Sequence, residues 1–495
     1  MLTKFRGVGK RLYTRSEFVI SNPRTGTEIY REARNSDYER SGCTYSMMIP
    51  CIPLILFLLL STDGYRLRPC TMLSHPQFFR TQKPTTSPEA VQAYMKRLLS
   101  SSDTNLKCPL SSTCLDDVAC ERLGDNDNFI CYDRLNTERS LFVTRGSELS
   151  SSIASSMELF DKYIPNMTPS LYYLDQAENY ILVEYLADYV ELRHVLTRGN
   201  IDTDTARQIG TVMGRNHAKS HSCFNNKTLT SLYMHFYHNQ DVYDDYEKEW
   251  LKVESDNFFE KESLLDMLGT VNDVNLLLEA ITKLRSIMLG KKESLVHADL
   301  NCAHVMLSTN DVDTSPGIDS KVKVVNFEKF SYGPTGIDLG IYLCDHYWYY
   351  VAHTSGQARR NLRSATRFVL EAYKSAFYTQ ADSAVRRKGL DISVDQVFNS
   401  ILCDAVGFAG LFSLIRIHKD EVLPVDAFKE FSFGDVEGWG RAVKRRRLRM
   451  SIELLLRYIE AANEDKLITL NDFHDVLVND DSYLATEHFT EFWHY

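Results

Sequence analysis

Residues 295–307, LVHADLNCAHVML, constrain this chain more than any other stretch, together with residues 322–343, VKVVNFEKFSYGPTGIDLGIYL. In the first, an apolar run ends at His297-Ala298-Asp299, a polar loop follows, and a second apolar run closes the segment. Asp299 is thereby expected just past a short strand, at the mouth of a loop. The second begins with Val322, Lys323, Val324 and Val325, which are strand-like, and then presents Asn326 and Glu328. Two positions apart, these share one side of an extended segment. A carboxylate past one strand and a metal-binding pair past the next is the arrangement phosphoryl transfer needs. One group orients the attacking hydroxyl, and the others hold magnesium on the phosphates.

These residues carry a resemblance. HADLNCAHVML resembles the HGDLHxGxxM loop of the kinase-like small-molecule phosphotransferases, within which aminoglycoside phosphotransferase-like proteins fall. NFEKFSYGPTGIDLG resembles the DPEFAFYGPMGFDIG stretch of the 5-methylthioribose kinase family, with Glu328, Tyr332, Gly333, Pro334, Gly336, Asp338 and Gly340 in frame. DAVGFAG, at residues 404–410, is similar to the D-x-F-G-F-A-G segment of that family. The resemblance implies an α+β, bilobal, protein-kinase-like fold with a small β-rich N-lobe and a larger, mainly helical C-lobe. It further implies ATP and Mg2+ as cofactors, a nucleotide and a small sugar-like ligand as partners, and a homodimer.

Carried over residue by residue, the resemblance implies a site. ERLGDNDNFICYD, residues 121–133, stands where the family has its phosphate-covering loop E-I-G-D-G-N-L-N-F. Gly124 and Asn128 are kept, but one residue and the second glycine are gone. Glycine lets backbone amides approach phosphate closely, so the loss bears on nucleotide binding. The next strand, SLFVTR, has Thr144 where the family has its phosphate-binding lysine. Arg145 replaces that lysine only if the register slips, because neighbouring strand residues point to opposite faces. Backbone groups of Glu184 to Leu186 would meet an adenine at the hinge. Asp299 would accept the hydroxyl proton of the acceptor. His304 stands where Asn or Ser is usual, and Asn326 replaces the principal magnesium aspartate, while Glu328 keeps a carboxylate for metal. Tyr332 and Arg416 are the expected substrate contacts, the family's Arg-Arg pair falling on Ile415 and Arg416.

The departures fall on groups that touch nucleotide and metal, while the structural frame is kept. Two classes of function follow. In one, the chain is a pseudokinase-like ligand-binding or scaffolding protein. In the other, it is an active kinase moving the γ-phosphate of ATP to the 1-hydroxyl of methylthioribose or a related sugar.

Composition bounds the remainder. A net charge of −10 and a pI near 5.8 argue against a general nucleic-acid binder. The one basic run, KRRRLR at residues 444–449, reads as a solvated helix face. Residues 1–46 carry nine Lys or Arg against five Asp or Glu and read as a disordered basic arm. Residues 41–62 hold no charge and are long enough to span a bilayer, which needs about 20 residues. They read as a signal anchor, or as a signal peptide if translation starts at Met47 or Met48, placing the chain at a membrane or in the secretory pathway. The family resemblance implies the cytoplasm instead. Residues 63–113 read as a linker, 114–186 as the N-lobe and 187–495 as the C-lobe. Five of eleven cysteines (Cys70, Cys108, Cys114, Cys120 and Cys131) cluster, which suggests disulfides in an exported chain.

Overall fold

The computed structural model describes residues 86–101, 106–123, 128–145, 150–238, 240–255, 271–309, 321–419, 436–464 and 466–486. The chain divides into residues 1–77 and 78–495, and every described residue belongs to the second unit. The expectations for the basic arm 1–46, the apolar segment 41–62, Cys70 and Gly124 lie outside the described residues.

The linker expected over 63–113 is corrected from residue 88 onward, where the chain forms helix α1 (Pro88–Ser100). Pro88 opens the helix without an amide to leave unpaired, and the Ser87 hydroxyl accepts the Ala90 amide at 3.2 Å. Val91, Tyr94, Met95 and Leu98 recur at helical spacing and close over Val118, Phe129, Leu141, Val143 and Leu182. The Ser/Thr/Pro-rich composition around the helix conceals that stripe.

The sheet beneath α1 comprises β1 (Val118–Arg122), β2 (Asn128–Asp133), β3 (Ser140–Arg145), β4 (Leu171–Asp175) and β5 (Tyr180–Glu184), with helix α2 (Ser150–Tyr163) between β3 and β4. It is antiparallel throughout, in the order β1-β2-β3-β5-β4. Cys120 and Cys131 face each other across β1 and β2 and are disulfide-bonded, whereas Cys108 and Cys114 are free thiols.

The rest is mainly helical. It runs β6 (Tyr189–Glu191), α3 (Leu192–Arg198), α4 (Thr203–Ser220), α5 (Lys227–Phe236), α6 (Gln240–Ser255), α7 (Val271–Gly290) and β7 (Ser294–Val296). Then come β8 (Val305–Ser308), β9 (Val322–Val324), β10 (Ser331–Gly333), α8 (Gly336–Ala352), α9 (Gly356–Lys388), α10 (Val394–His418), α11 (Val436–Glu464) and α12 (Leu470–Thr486). The architecture is α+β and bilobal, a small antiparallel sheet joined to a larger helical lobe. Two short sheets, β10-β7 and β6-β8-β9, line the junction and carry the loops of interest.

The glycines of the GPTGIDLG segment serve packing. α8 is buried along its whole length, and a Cβ on Gly340 would come 2.6 Å from the Cβ of Phe408 and 3.0 Å from the carbonyl oxygen of Ala405 on α10. Among the described residues α10 alone is long and apolar enough to cross a membrane, and it lies mostly inside the helical lobe.

The basic run is corrected. Arg445 and Arg449 are exposed, but Arg446 and Arg447 are 6% and 5% exposed. They fall on the same inward stripe of α11 as Val443, Met450 and Leu454. Arg446 Nε donates to Asp480 Oδ1 at 3.0 Å, and Nη1 donates to the Val351 carbonyl at 2.6 Å.

Candidate active site

β7 ends at Val296, and the chain then turns through Ala298 at φ 60°, a left-handed conformation that costs a residue with a Cβ about 1–2 kcal/mol. Asp338, on the first turn of α8, holds this turn. Its Oδ2 accepts the His297 amide and its Oδ1 the Ala298 amide, each at 2.8 Å. His217 Nε2 lies 3.1 Å from Asp338 Oδ2, and His217 Nδ1 lies 3.0 Å from the Tyr373 hydroxyl. A carboxylate only accepts, so Nε2 carries the proton and Tyr373 donates to Nδ1. His217 is thus a bonded core histidine, as its place on an apolar helix face suggests. His297 Nε2 donates to the Val325 carbonyl at 2.9 Å, and burial lowers the pKa of the ring. It ties the loop to the end of β9.

Asp299 then projects from the loop with its side chain one-fifth exposed. Its Oδ1 accepts from Asn301 Nδ2 at 3.0 Å, and its Oδ2 is 3.0 Å from Lys329 Nζ. The position fits a group that receives a hydroxyl proton, but the carboxylate already holds a cation.

Asn326 and Glu328 do not share a face of an extended segment. The strand stops at Val324, Asn326 takes φ 63°, and Phe327–Lys329 forms a 3-10 turn around the buried Phe327 ring. Asn tolerates that left-handed conformation, and the period-two argument ends where the turn begins. Glu328 is exposed on the turn. His304 Nδ1 donates to the Asp299 carbonyl at 2.7 Å, which leaves Nε2 as an acceptor, and Asn326 Nδ2 donates to it at 2.8 Å. Asn326, one of the two positions implied to hold magnesium, is therefore spent on His304. Among the described residues no set of three His, Cys, Asp or Glu side chains converges as metal ligands. Mg2+ favours charged oxygen ligands at octahedral geometry, and of the two positions implied to hold it only Glu328 brings a carboxylate.

The nucleotide side departs in a similar way. Asn128 and Thr144 are paired across β2 and β3, half-buried on the face away from α1. The register of β3 runs unbroken to β2 and β5, so Arg145 does not take the place of the missing lysine. Its guanidinium lies 5.6 Å over the Tyr180 ring, and Nη1 donates to Thr86 Oγ1 at 3.0 Å. At the hinge, the Glu184 amide donates to the Ser170 carbonyl at 2.9 Å, and the Leu186 carbonyl accepts the Tyr189 amide at 3.2 Å. Glu184 and Leu186 thus have backbone groups engaged within the protein. The Glu184 carboxylate lies 2.6 Å from Lys323 Nζ, a lysine on β9 that is 6% exposed.

Of the expected substrate contacts, Tyr332 is fully buried and its hydroxyl donates to the Glu293 carbonyl at 2.9 Å, so it braces β10 against β7 and faces no ligand. Arg416 is ion-paired with Asp345, whose Oδ2 accepts the Cys302 amide at 2.6 Å. It therefore stands one residue away from the Asp299 loop. Sequence reasoning missed Lys329, whose Nζ pairs with Asp299. Lys329 follows Glu328 directly and was visible as the cation nearest the carboxylates.

Ala298 at positive φ, held by the buried Asp338 carboxylate, thus sets Asp299 at the junction of the small sheet and the helical lobe. No family model matches the chain. It is 24% identical over 316 residues to a methylthioribose kinase of Bacillus pumilus, covering 59% of this chain and 77% of that one. It is 25% identical over 315 residues to a methylthioribose kinase of Geobacillus thermodenitrificans, covering 62% and 75%. A crystal structure of choline kinase from Cryptosporidium parvum aligns at a TM-score of 0.43 and 11% identity, over 76% of this chain and 99% of that one. The chain is a distant relative of the methylthioribose kinases.

Proposed function

We propose that this chain is a methylthioribose-kinase-like protein that keeps the cleft as a ligand-binding surface and is impaired in magnesium-dependent phosphoryl transfer. The hydrogen bond between His304 and Asn326, at 2.8 Å, carries the reading. It ties Asn326, one of the two side chains implied to hold the metal, to His304, and neither partner in that bond brings a negative charge. Thr144 in the lysine position adds to it, as does the Asp299–Lys329 ion pair. Metal and basic groups supply most of what a phosphotransferase contributes, each typically worth orders of magnitude in rate. The ligands proposed are a nucleotide and a small sugar, methylthioribose being the sugar that the relatives' names supply.

One observation favours a second reading. Lys329 Nζ, 3.0 Å from Asp299, is a cation beside the group that would act as base, and it could offset part of the lost charge in a slow sugar kinase. ADP release by the full chain with ATP, Mg2+ and methylthioribose, beside Asp299→Ala, separates the two. Ligand-dependent thermal stabilisation without turnover is expected. Turnover at ordinary kinase rates that Asp299→Ala abolishes would overturn the proposal.

A further inference from the structure

Arg446 and Arg447 are both buried in α11, yet they are treated differently. Arg446 spends its guanidinium on Asp480 and on the Val351 carbonyl. Arg447 has no such match, and its Nε and Nη2 have no hydrogen-bond partner among the described residues. Its guanidinium carbon lies 3.8 Å over the Trp348 ring, and that of Arg416 lies 5.3 Å over the same ring. The carboxylate of this cluster, Asp345, is already held by Arg416 and by the Cys302 amide. Burial and the charges of Arg416 and Arg446 push the Arg447 pKa down to about 9, so it is still a cation at neutral pH.

A buried charge without a counter-ion is costly, and buried N–H groups are almost always bonded. A cation–π contact with Trp348 offsets only part of that cost, because it leaves the N–H donors unmet. Among the described residues Arg447 Nε and Nη2 meet no acceptor, and an oxygen-rich anion would supply one. Arg416 keeps about a fifth of its side chain exposed, so the cluster reaches the surface through it. The chain Arg447–Trp348–Arg416–Asp345–Cys302 ends three residues past Asp299 on the same loop.

We propose that Arg447, with Arg416 and Trp348, forms an oxyanion subsite for a small ligand that carries a phosphate or carboxylate group. This deepens the proposed function by naming the ligand as anionic, and it rests on that reading only for calling the region the substrate end of the cleft.

The test follows thermal unfolding of the full chain with ribose, ribose 5-phosphate, ribonate and inorganic phosphate, in wild type, Arg447→Met and Arg447→Lys. No nucleotide is present, so a failure of the kinase reading leaves the outcome untouched. The wild-type midpoint is expected to rise with at least one anion and not with ribose. Arg447→Met is expected to melt higher than wild type without ligand and to lose the anion response. Arg447→Lys should keep the response with an affinity weaker by about tenfold or more, since the bidentate fork is gone. Equal responses to inorganic phosphate and ribose 5-phosphate identify a free anion as the ligand; a larger one to ribose 5-phosphate or ribonate identifies a sugar-borne group. No anion response in wild type, or an equal one in Arg447→Met, overturns the proposal. Should Arg447→Met fail to fold, unchanged affinity in Arg447→Lys does the same.

Discussion

Asp338 Oδ1 accepts the amide of Ala298 at 2.8 Å, and Ala298 is one of four non-glycine residues with positive φ among those described. The carboxylate thus holds in place a turn that the backbone alone disfavours. Its other oxygen takes the His297 amide and faces His217. An Asp338→Asn substitution turns one acceptor into a donor facing N–H groups. The expected cost is about 3 kcal/mol, the scale for breaking a buried charged hydrogen-bond set. Urea unfolding measures it, and a loss below about 1 kcal/mol would show that the turn stands without the clamp.

The α8–α10 contact sets a second expectation. At Gly340 an added methyl group meets the Phe408 Cβ and the Ala405 carbonyl, both on one well-packed helix that cannot simply move aside. Gly340→Ala should therefore destabilise by roughly 2 kcal/mol despite alanine's better helix propensity. A more stable variant would mean that the helices separate cheaply.

Two buried histidines, His221 and His346, make stability depend on pH. Burial lowers their pKa values to about 4 and about 3. His221 Nδ1 accepts the Cys223 amide, His346 Nδ1 meets the Thr366 hydroxyl, and the Nε2 atom of each is buried without a hydrogen-bond partner among the described residues. Both groups have folded pKa values below the unfolded value of about 6.5. Their contribution is therefore complete above that value and is lost as pH falls through it towards the folded pKa. Between pH 7 and 5 each should cost about 2 kcal/mol of stability. Chemical denaturation at the two pH values, in wild type and His346→Gln, reads this directly: the variant should lose less than wild type over the same interval.

Much of this was legible in the sequence, for identifiable reasons. Short apolar runs before Asp299 and Asn326 specify β7 and β9, and the loop that carries Asp299 falls between β7 and β8. What the runs could not convey is where extension stops. Asn326 enters a left-handed turn, so Asn326 and Glu328 part company. Helix α1 was hidden because composition around it is Ser/Thr/Pro-rich, although Val91, Tyr94, Met95 and Leu98 already spell its stripe. Arg446 and Arg447 were hidden because a charge run suggests solvent, whereas their spacing from Val443 and Met450 places them inward. Tyr332 matches the methylthioribose kinase frame, yet its hydroxyl is spent on the Glu293 carbonyl, so that position of the frame serves packing.

The last expectation concerns Asn326. Replacing it with aspartate returns a carboxylate to the end of β9 and removes the amide N–H that His304 Nε2 now accepts. Magnesium favours charged oxygen ligands, so the variant gains the affinity that the His304–Asn326 pair forgoes. With ATP present, adding Mg2+ should raise the unfolding midpoint of Asn326→Asp and leave wild type unmoved. At a hundredfold excess of metal–nucleotide complex over its dissociation constant the gain is about 2.7 kcal/mol. Magnesium removal by chelator should reverse it in the variant alone. If wild type responds to Mg2+ as strongly as Asn326→Asp, then Glu328 or another group already holds the metal, and the case for impaired transfer loses its main support.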